Sequence, residues 1–120
     1  MLFRSTNTEA AASELTKEFE FNLPMRWSAA HYYQAVLDGE EHVKEVSFLT
    51  TLSGYVHYML TGKKVIGVGD ASGMFPISGG DFDGGMLTKF DTLLKAKGIE
   101  TSFMSLAFSL VISSLWMLLI

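Results

Sequence analysis

The hydrophobic and polar positions along this chain fall into short periodic runs separated by clear stops. Thr6-Asn7-Thr8-Glu9 has the form of a capping box, a hydroxyl three residues ahead of a carboxylate. A helix is therefore expected from near Asn7 through Ala10–Phe19, with Leu15 and Phe19, four apart, on its buried side. Pro24 disfavours helix at Leu23, so Glu20–Leu23 should break out. Ser28 suits the cap of a second helix over Ala29–Leu37, which Asp38-Gly39 would end. Glu40-Glu41-His42 should open a short solvated helix reaching Val46, its Glu–His pair being a charged face.

A third helix is expected over Phe48–Leu60. Leu49, Leu52, Val56 and Leu60 share one side of it at spacings of three and four. Gly54 is tolerated there for close packing, and Gly62 is the stop, with Lys63 and Lys64 beyond the negative helix end. Val65–Val68 reads as a short strand and Gly69–Gly73 as a tight turn, followed by a second apolar run at Met74–Ile77. Ser78–Asp83 reads as loop. The last amphipathic helix is Gly85–Lys97, with Met86, Leu87, Phe90, Leu93 and Leu94 inside and Gly98 as terminator. The pattern is mostly α with a short β element.

Charge divides the chain more sharply than periodicity does. All 22 charged residues lie within Arg4–Glu100, and Thr101–Ile120 carries none. Phe103–Ile120 is 18 uncharged residues, the lower limit for a membrane-spanning helix, diluted by serines in its first two thirds. Two readings stay open: a carboxy-terminal anchor, or an apolar run that needs a partner to cover it. The expected division is 1–100 as one unit and 101–120 as a tail. Met1–Phe21 lacks the unbroken apolar core of a signal peptide, so the expected location is cytoplasmic, or membrane-associated if the tail inserts.

Composition removes several functions. A net charge of −4 leaves no footprint for nucleic acid. The absence of cysteine excludes disulfides, thiolate nucleophiles and zinc ribbons. His31, His42 and His57 have no metal-ligand spacing, so no metal residues are expected. Gly67-x-Gly69-x-x-x-Gly73 is not a dinucleotide fingerprint: it is one residue too long and no helix follows. Neither a phosphate loop nor a nucleophile elbow is present. Asp81 and Asp83 look loop-borne and solvated.

Two pairs remain as candidate chemistry. Asp70 and Ser72 sit in the glycine-flanked turn, where they either face a ligand or merely stabilise the turn. Arg26 and Trp27 put a hydrogen-bonding fork beside an aromatic plane. That pairing suits a polyhydroxylated ligand, and equally a surface salt bridge beside a core tryptophan.

Three stretches, NLPMRWSAAHYYQAVLDGEEHV, FLTTLSGYVHYMLTGKKVIGVGDASGMFPI and DFDGGMLTKFDTLL, resemble consecutive segments of the FGGY carbohydrate kinases, the relatives of xylulose, ribulose and glycerol kinases. The resemblance runs over about Leu2–Gly98. It implies a fragment of an actin-like, ribonuclease H-like α/β kinase domain, from the sugar-binding half. The activity implied is ATP-dependent phosphorylation of a sugar or polyol hydroxyl, with ATP and Mg²⁺ as cofactors of the full-length family and none for this chain alone. By the same resemblance Arg4, Arg26, Trp27, Asp70 and Ser72 would line the sugar site. Arg4 lies in Phe3-Arg4-Ser5-Thr6, where the family's sugar loop opens with tryptophan.

The departures are as informative. The family's Asp-x-Gly-Thr phosphate turn would precede Met1, and its Gly-Asp motif carrying the catalytic base would lie beyond Gly98. The expectation is therefore a fragment, inactive alone, with no catalytic residue of its own. Its partner would be the remainder of the kinase, if that is encoded separately. The similarity stops near Glu100, and a shifted reading frame would account for the tail. The competing reading is a small tail-anchored membrane or interaction protein using 103–120. A complete small enzyme would need phosphate and base groups that the sequence does not supply.

Overall fold

The computed structural model describes residues 7–46, 49–63, 65–67, 71–79, 81–103 and 110–112. Among them are four α-helices: α1 (Glu9–Phe19), α2 (Ser28–Leu37), α3 (Leu52–Thr61) and α4 (Gly84–Ala96). A 3₁₀ turn, Glu41–Glu45, follows α2. Four short strands complete the described elements: β1 (Val65–Gly67), β2 (Ile77–Ser78), β3 (Asp81–Phe82) and β4 (Leu110–Ile112). The domain is mostly helical, with β2 and β3 paired as an antiparallel hairpin and β1 and β4 paired in parallel.

α1 starts at Glu9, two residues after the expected Asn7. The cap residue is Thr8, and its side chain makes no capping bond. Thr6 lies outside the described residues. The free amides of the first turn are met from elsewhere: Glu9 N–H donates to Asn7 Oδ1 at 3.1 Å, and Ala11 N–H to Gln34 Oε1 of α2 at 3.1 Å. Gln34 Nε2 donates in turn to Asp38 Oδ1 at 2.9 Å, which orients the amide. The exit is set by Glu20, at φ 51°, and by Thr16, whose Oγ1 accepts Leu23 N–H at 3.0 Å.

α1 and α2 pack through small residues, Ala11 and Ala12 against a helix carrying Ala29, Ala30 and Ala35, all buried. Short side chains let the helix axes approach, and the large side chains then gather beyond them. Phe90 of α4 is the centre of that gathering. Its ring lies 5.1 Å from Phe103 at 79°, 5.8 Å from Tyr33 at 60° and 6.3 Å from Phe19 at 76°. These edge-to-face pairs match the quadrupole preference of aromatic rings. Phe75 completes the cluster, 5.5 Å from Phe90 and 5.3 Å from Phe103.

Several expectations are revised. The third helix begins at Leu52, not Phe48, because Thr51 is its cap: Thr51 Oγ1 accepts Gly54 N–H at 3.1 Å. Its apolar side is not buried: Leu52, Val56 and Leu60 are all exposed. At Gly54 an added Cβ would meet the Thr50 and Thr51 side chains, so the crowding there is local to the start of the helix. Ser78–Asp83 is not plain loop but holds three of the four strand residues of the β2–β3 hairpin, with Gly79 at φ +64° in its turn. Met74–Pro76 is not strand: Met74 and Phe75 N–H both donate back to Ala71 O, curling the chain.

The uncharged tail contributes to the same globule. Phe103 is fully buried, and its N–H donates to Asp91 Oδ1 at 3.0 Å. Leu110–Ile112 is strand, in parallel register with Val65–Gly67. Among the described residues no helix is long and apolar enough to cross a membrane.

Candidate functional site

Four of the chemistry-bearing residues chosen from sequence lie in two segments more than 40 positions apart. The fold brings those segments together at the start of α2. A turn precedes the helix, with Trp27 N–H donating to Pro24 O at 3.2 Å. Its other side is fastened to α1, where the buried Thr8 hydroxyl donates to Met25 O.

The first amides of α2 then point into the glycine-flanked turn. Ser28 N–H donates to Gly73 O at 3.4 Å, and Ala29 N–H donates to Met74 O at 2.9 Å. Backbone carbonyls of the 71–74 turn therefore do for α2 what a side-chain cap would do. This is why Ser28, expected as the cap, belongs to the helix and makes no capping bond; the cap position is Trp27, in extended backbone. The helix start carries partial positive charge, which the two carbonyls meet directly.

Arg26 is exposed, Trp27 is half-buried and Ser72 is exposed. Trp27 is held on one side by Phe21, with ring centroids 6.2 Å apart at 41°. A partly buried indole next to an exposed guanidinium can offer a flat apolar face and a fork of donors at one place. Ser72 belongs to the turn whose carbonyls hold the helix, so its backbone position is tied to that of Trp27. Arg4 and Asp70 lie outside the described residues.

Among the described residues, open clefts are lined by other parts of the chain. One of ≈ 410 Å³ is lined by Val36, Gly39, Glu40, Glu41, Val43, Lys44, Lys97 and Ile99, at the far end of α2. A second, ≈ 370 Å³, lies between Asn7, Glu9, Ala10, Ser13 and Gln34. The first borders the Glu40–His42 pair, expected as a solvated face. The two side chains are instead 14% and 23% exposed, with Glu40 Oε1 3.8 Å from His42 Nδ1. Apart from that contact, neither Glu40 oxygen accepts a hydrogen bond among the described residues. Volume alone does not make this cleft the better site, because two lysines line it together with the two glutamates.

Asp83 is also not a free carboxylate. It caps α4, accepting Met86 N–H at 2.9 Å. Among the described residues no three His, Asp or Glu side chains converge as metal ligands. Burial raises the Tyr33 phenol well above its ordinary range, helped by the hydroxyl's 2.8 Å bond to Glu14. Tyr33 lies within the core and not at the α2 start, so this shift concerns stability.

The contacts that build the candidate site were not readable from residue types. They are main-chain bonds from carbonyls of Gly73 and Met74, and any residue can supply a carbonyl. The one available signal was the absence of a second strong cap around Trp27-Ser28. Compared with protein-family models, curated proteins and solved structures, the chain matches none.

Proposed function

We propose that residues 2–98 form the sugar-side portion of a carbohydrate kinase of the FGGY type, binding a sugar or polyol without phosphorylating it alone. The observation that carries this reading is the backbone junction between α2 and the glycine-flanked turn. Through Ser28–Gly73 and Ala29–Met74 it holds Arg26 and Trp27 beside the strand of chain that carries Ser72. A sugar presents C–H faces that stack on an aromatic ring and hydroxyls that bond to a fork of donors, so the pairing has the right chemistry. The order of the three family-like stretches supports the same reading.

The 120 residues contain no phosphate-binding turn and no base motif of that family. Phosphoryl transfer depends on both positioning and charge stabilisation at the phosphates, so the chain alone is expected to be inactive. ATP and Mg²⁺ would be bound by the remainder of such a kinase.

The test is direct titration of the full chain with a panel of pentoses and polyols, read by ligand-observed NMR, beside an ATP-consumption assay. The expected result is weak binding of one class, with Kd about millimolar, and no ATP consumption. Trp27→Ala and Arg26→Ala should each remove the binding while leaving the far-ultraviolet circular dichroism unchanged. Absence of binding across the panel would overturn the sugar reading. ATP turnover by this chain would overturn its inactivity.

A further inference from the structure

Threonine is a favoured helix cap because its hydroxyl can accept an amide of the first turn. Thr8 holds the cap position of α1, yet its side chain makes no capping bond. The residue is 1% exposed, and its hydroxyl donates instead to Met25 O, 17 positions along the chain. Asn7 and Gln34 meet the Glu9 and Ala11 amides, so the hydroxyl serves the distant turn and not its own helix.

A second threonine of α1 does the same. Thr16 Oγ1 accepts Leu23 N–H at 3.0 Å, and Leu23 is buried. Thr8 and Thr16 stand about 12 Å apart along the helix. Together they lay Leu23–Met25 back along α1, towards its start. The chain is then held again at Ser28 and Ala29, whose amides donate to Gly73 O and Met74 O. Between the hold at Met25 O and the hold at Ser28 N–H lie only Arg26 and Trp27. So short a span, held at both ends, has few free backbone angles, and the directions of its side chains follow from where the ends are held.

We propose that Thr8 is a positioning residue for the Arg26–Trp27 pair. Through Met25 O its hydroxyl holds indole and guanidinium in place before a ligand arrives, which removes part of the ordering cost of binding. Being buried, Thr8 does this without touching the ligand. Its effect on affinity rests on the sugar reading; its effect on Trp27 rests on the geometry alone.

Two variants of the full chain test it. Thr8→Val keeps the branched shape and removes the donor, whereas Thr8→Ser keeps the donor. The chain has two tryptophans, so after fluorotryptophan labelling the signal of Trp27 is the one that Trp27→Phe removes. Without ligand, Thr8→Val should move or broaden that fluorine resonance, and Thr8→Ser should leave it in place. With the pentose or polyol that the unmutated chain binds best, Thr8→Val should raise Kd about threefold to tenfold, the factor that one hydrogen bond's net contribution supplies. Thr8→Ser should restore the affinity, and the far-ultraviolet circular dichroism should match in all three chains. An unchanged Trp27 signal in Thr8→Val overturns the proposal. So does Thr8→Ser behaving as Thr8→Val does, or a Thr8→Val chain that loses its circular dichroism, since either makes Thr8 a residue of the fold alone. Sugar binding indifferent to Thr8→Val overturns it and spares the sugar reading. A Trp27 signal that moves in a chain binding no sugar overturns the sugar reading and upholds the hold of Thr8 on the turn.

Discussion

At the scale of single residues, two buried polar side chains hold more than their size suggests. Gln34 closes an amide at the start of α1 and is held by Asp38, so its loss strands a buried donor. Gln34→Leu should cost about 1–3 kcal/mol, the cost of an unsatisfied buried group, measured by urea unfolding. Tyr33 is the second. Its folded pKa lies above the unfolded value, first through burial and then through the bond to Glu14. Raised pKa means that the folded state holds its proton longer than the unfolded chain does. The stabilisation is therefore complete below about pH 10 and declines as pH climbs from there toward the folded pKa. Tyr32 is raised as well, by burial and then by the Asp91 charge, so two phenols act in one direction. The melting temperature should fall above about pH 10, and Tyr33→Phe should show a shallower fall.

At the scale of elements, the ends decide more than the middles. The apolar period of α4 places Phe90 and Leu94 in the core, as a reader of the sequence expects. Its start depends on Asp83, which looks like one of two spare carboxylates in a loop. Asp83 accepts Met86 N–H and donates its own N–H to Pro76 O at 2.8 Å, so it ties helix and hairpin together. Asp83→Ala should cost about 1 kcal/mol, and Asp83→Asn or Asp83→Ser much less, because either can still accept the amide. Thermal melts of the three variants separate a cap from a mere surface charge. Asp81 differs: it is exposed, and its Oδ1 accepts the next amide, Phe82 N–H, at 2.7 Å. A terminal role is invisible in hydrophobic period, since caps are set by which amides are left over. The displaced start of α3 has the same cause: Leu49 continues the stripe, but Thr51 supplies the cap.

At the scale of the whole molecule, one aromatic core binds segments from across the sequence. Phe19, Tyr32, Tyr33, Phe75, Phe90 and Phe103 are buried together, drawn from both halves of the chain. Phe90→Ala should cost about 3–5 kcal/mol. Set against a typical stability of about 5–15 kcal/mol, that is a large share of the total, read as a much lower urea midpoint and melting temperature. Phe90→Leu should cost less, because it retains much of the volume. The radius of gyration, 13.8 Å, is close to the ~13.6 Å expected for a domain of this length. The uncovered face of α3 is therefore a local property of a well-gathered chain.

The sequence by itself determined the existence of α1, α2 and α4, the inward sides of α1 and α4, the stop at Gly62 and the strand after it. These follow from side-chain periodicity and from glycine's freedom at positive φ, which are properties of neighbouring residues. It also marked Arg26, Trp27 and Ser72 as worth attention, but it could not say that they belong to adjoining backbones. Only the tertiary structure decided that the 71–74 turn caps α2, that Gln34 caps α1, and that Leu110–Ile112 runs beside β1. It likewise decided that the stripe of α3 faces outward. Each of these joins groups distant along the chain, often through main-chain atoms that every residue shares, and local pattern carries no record of which distant group will arrive.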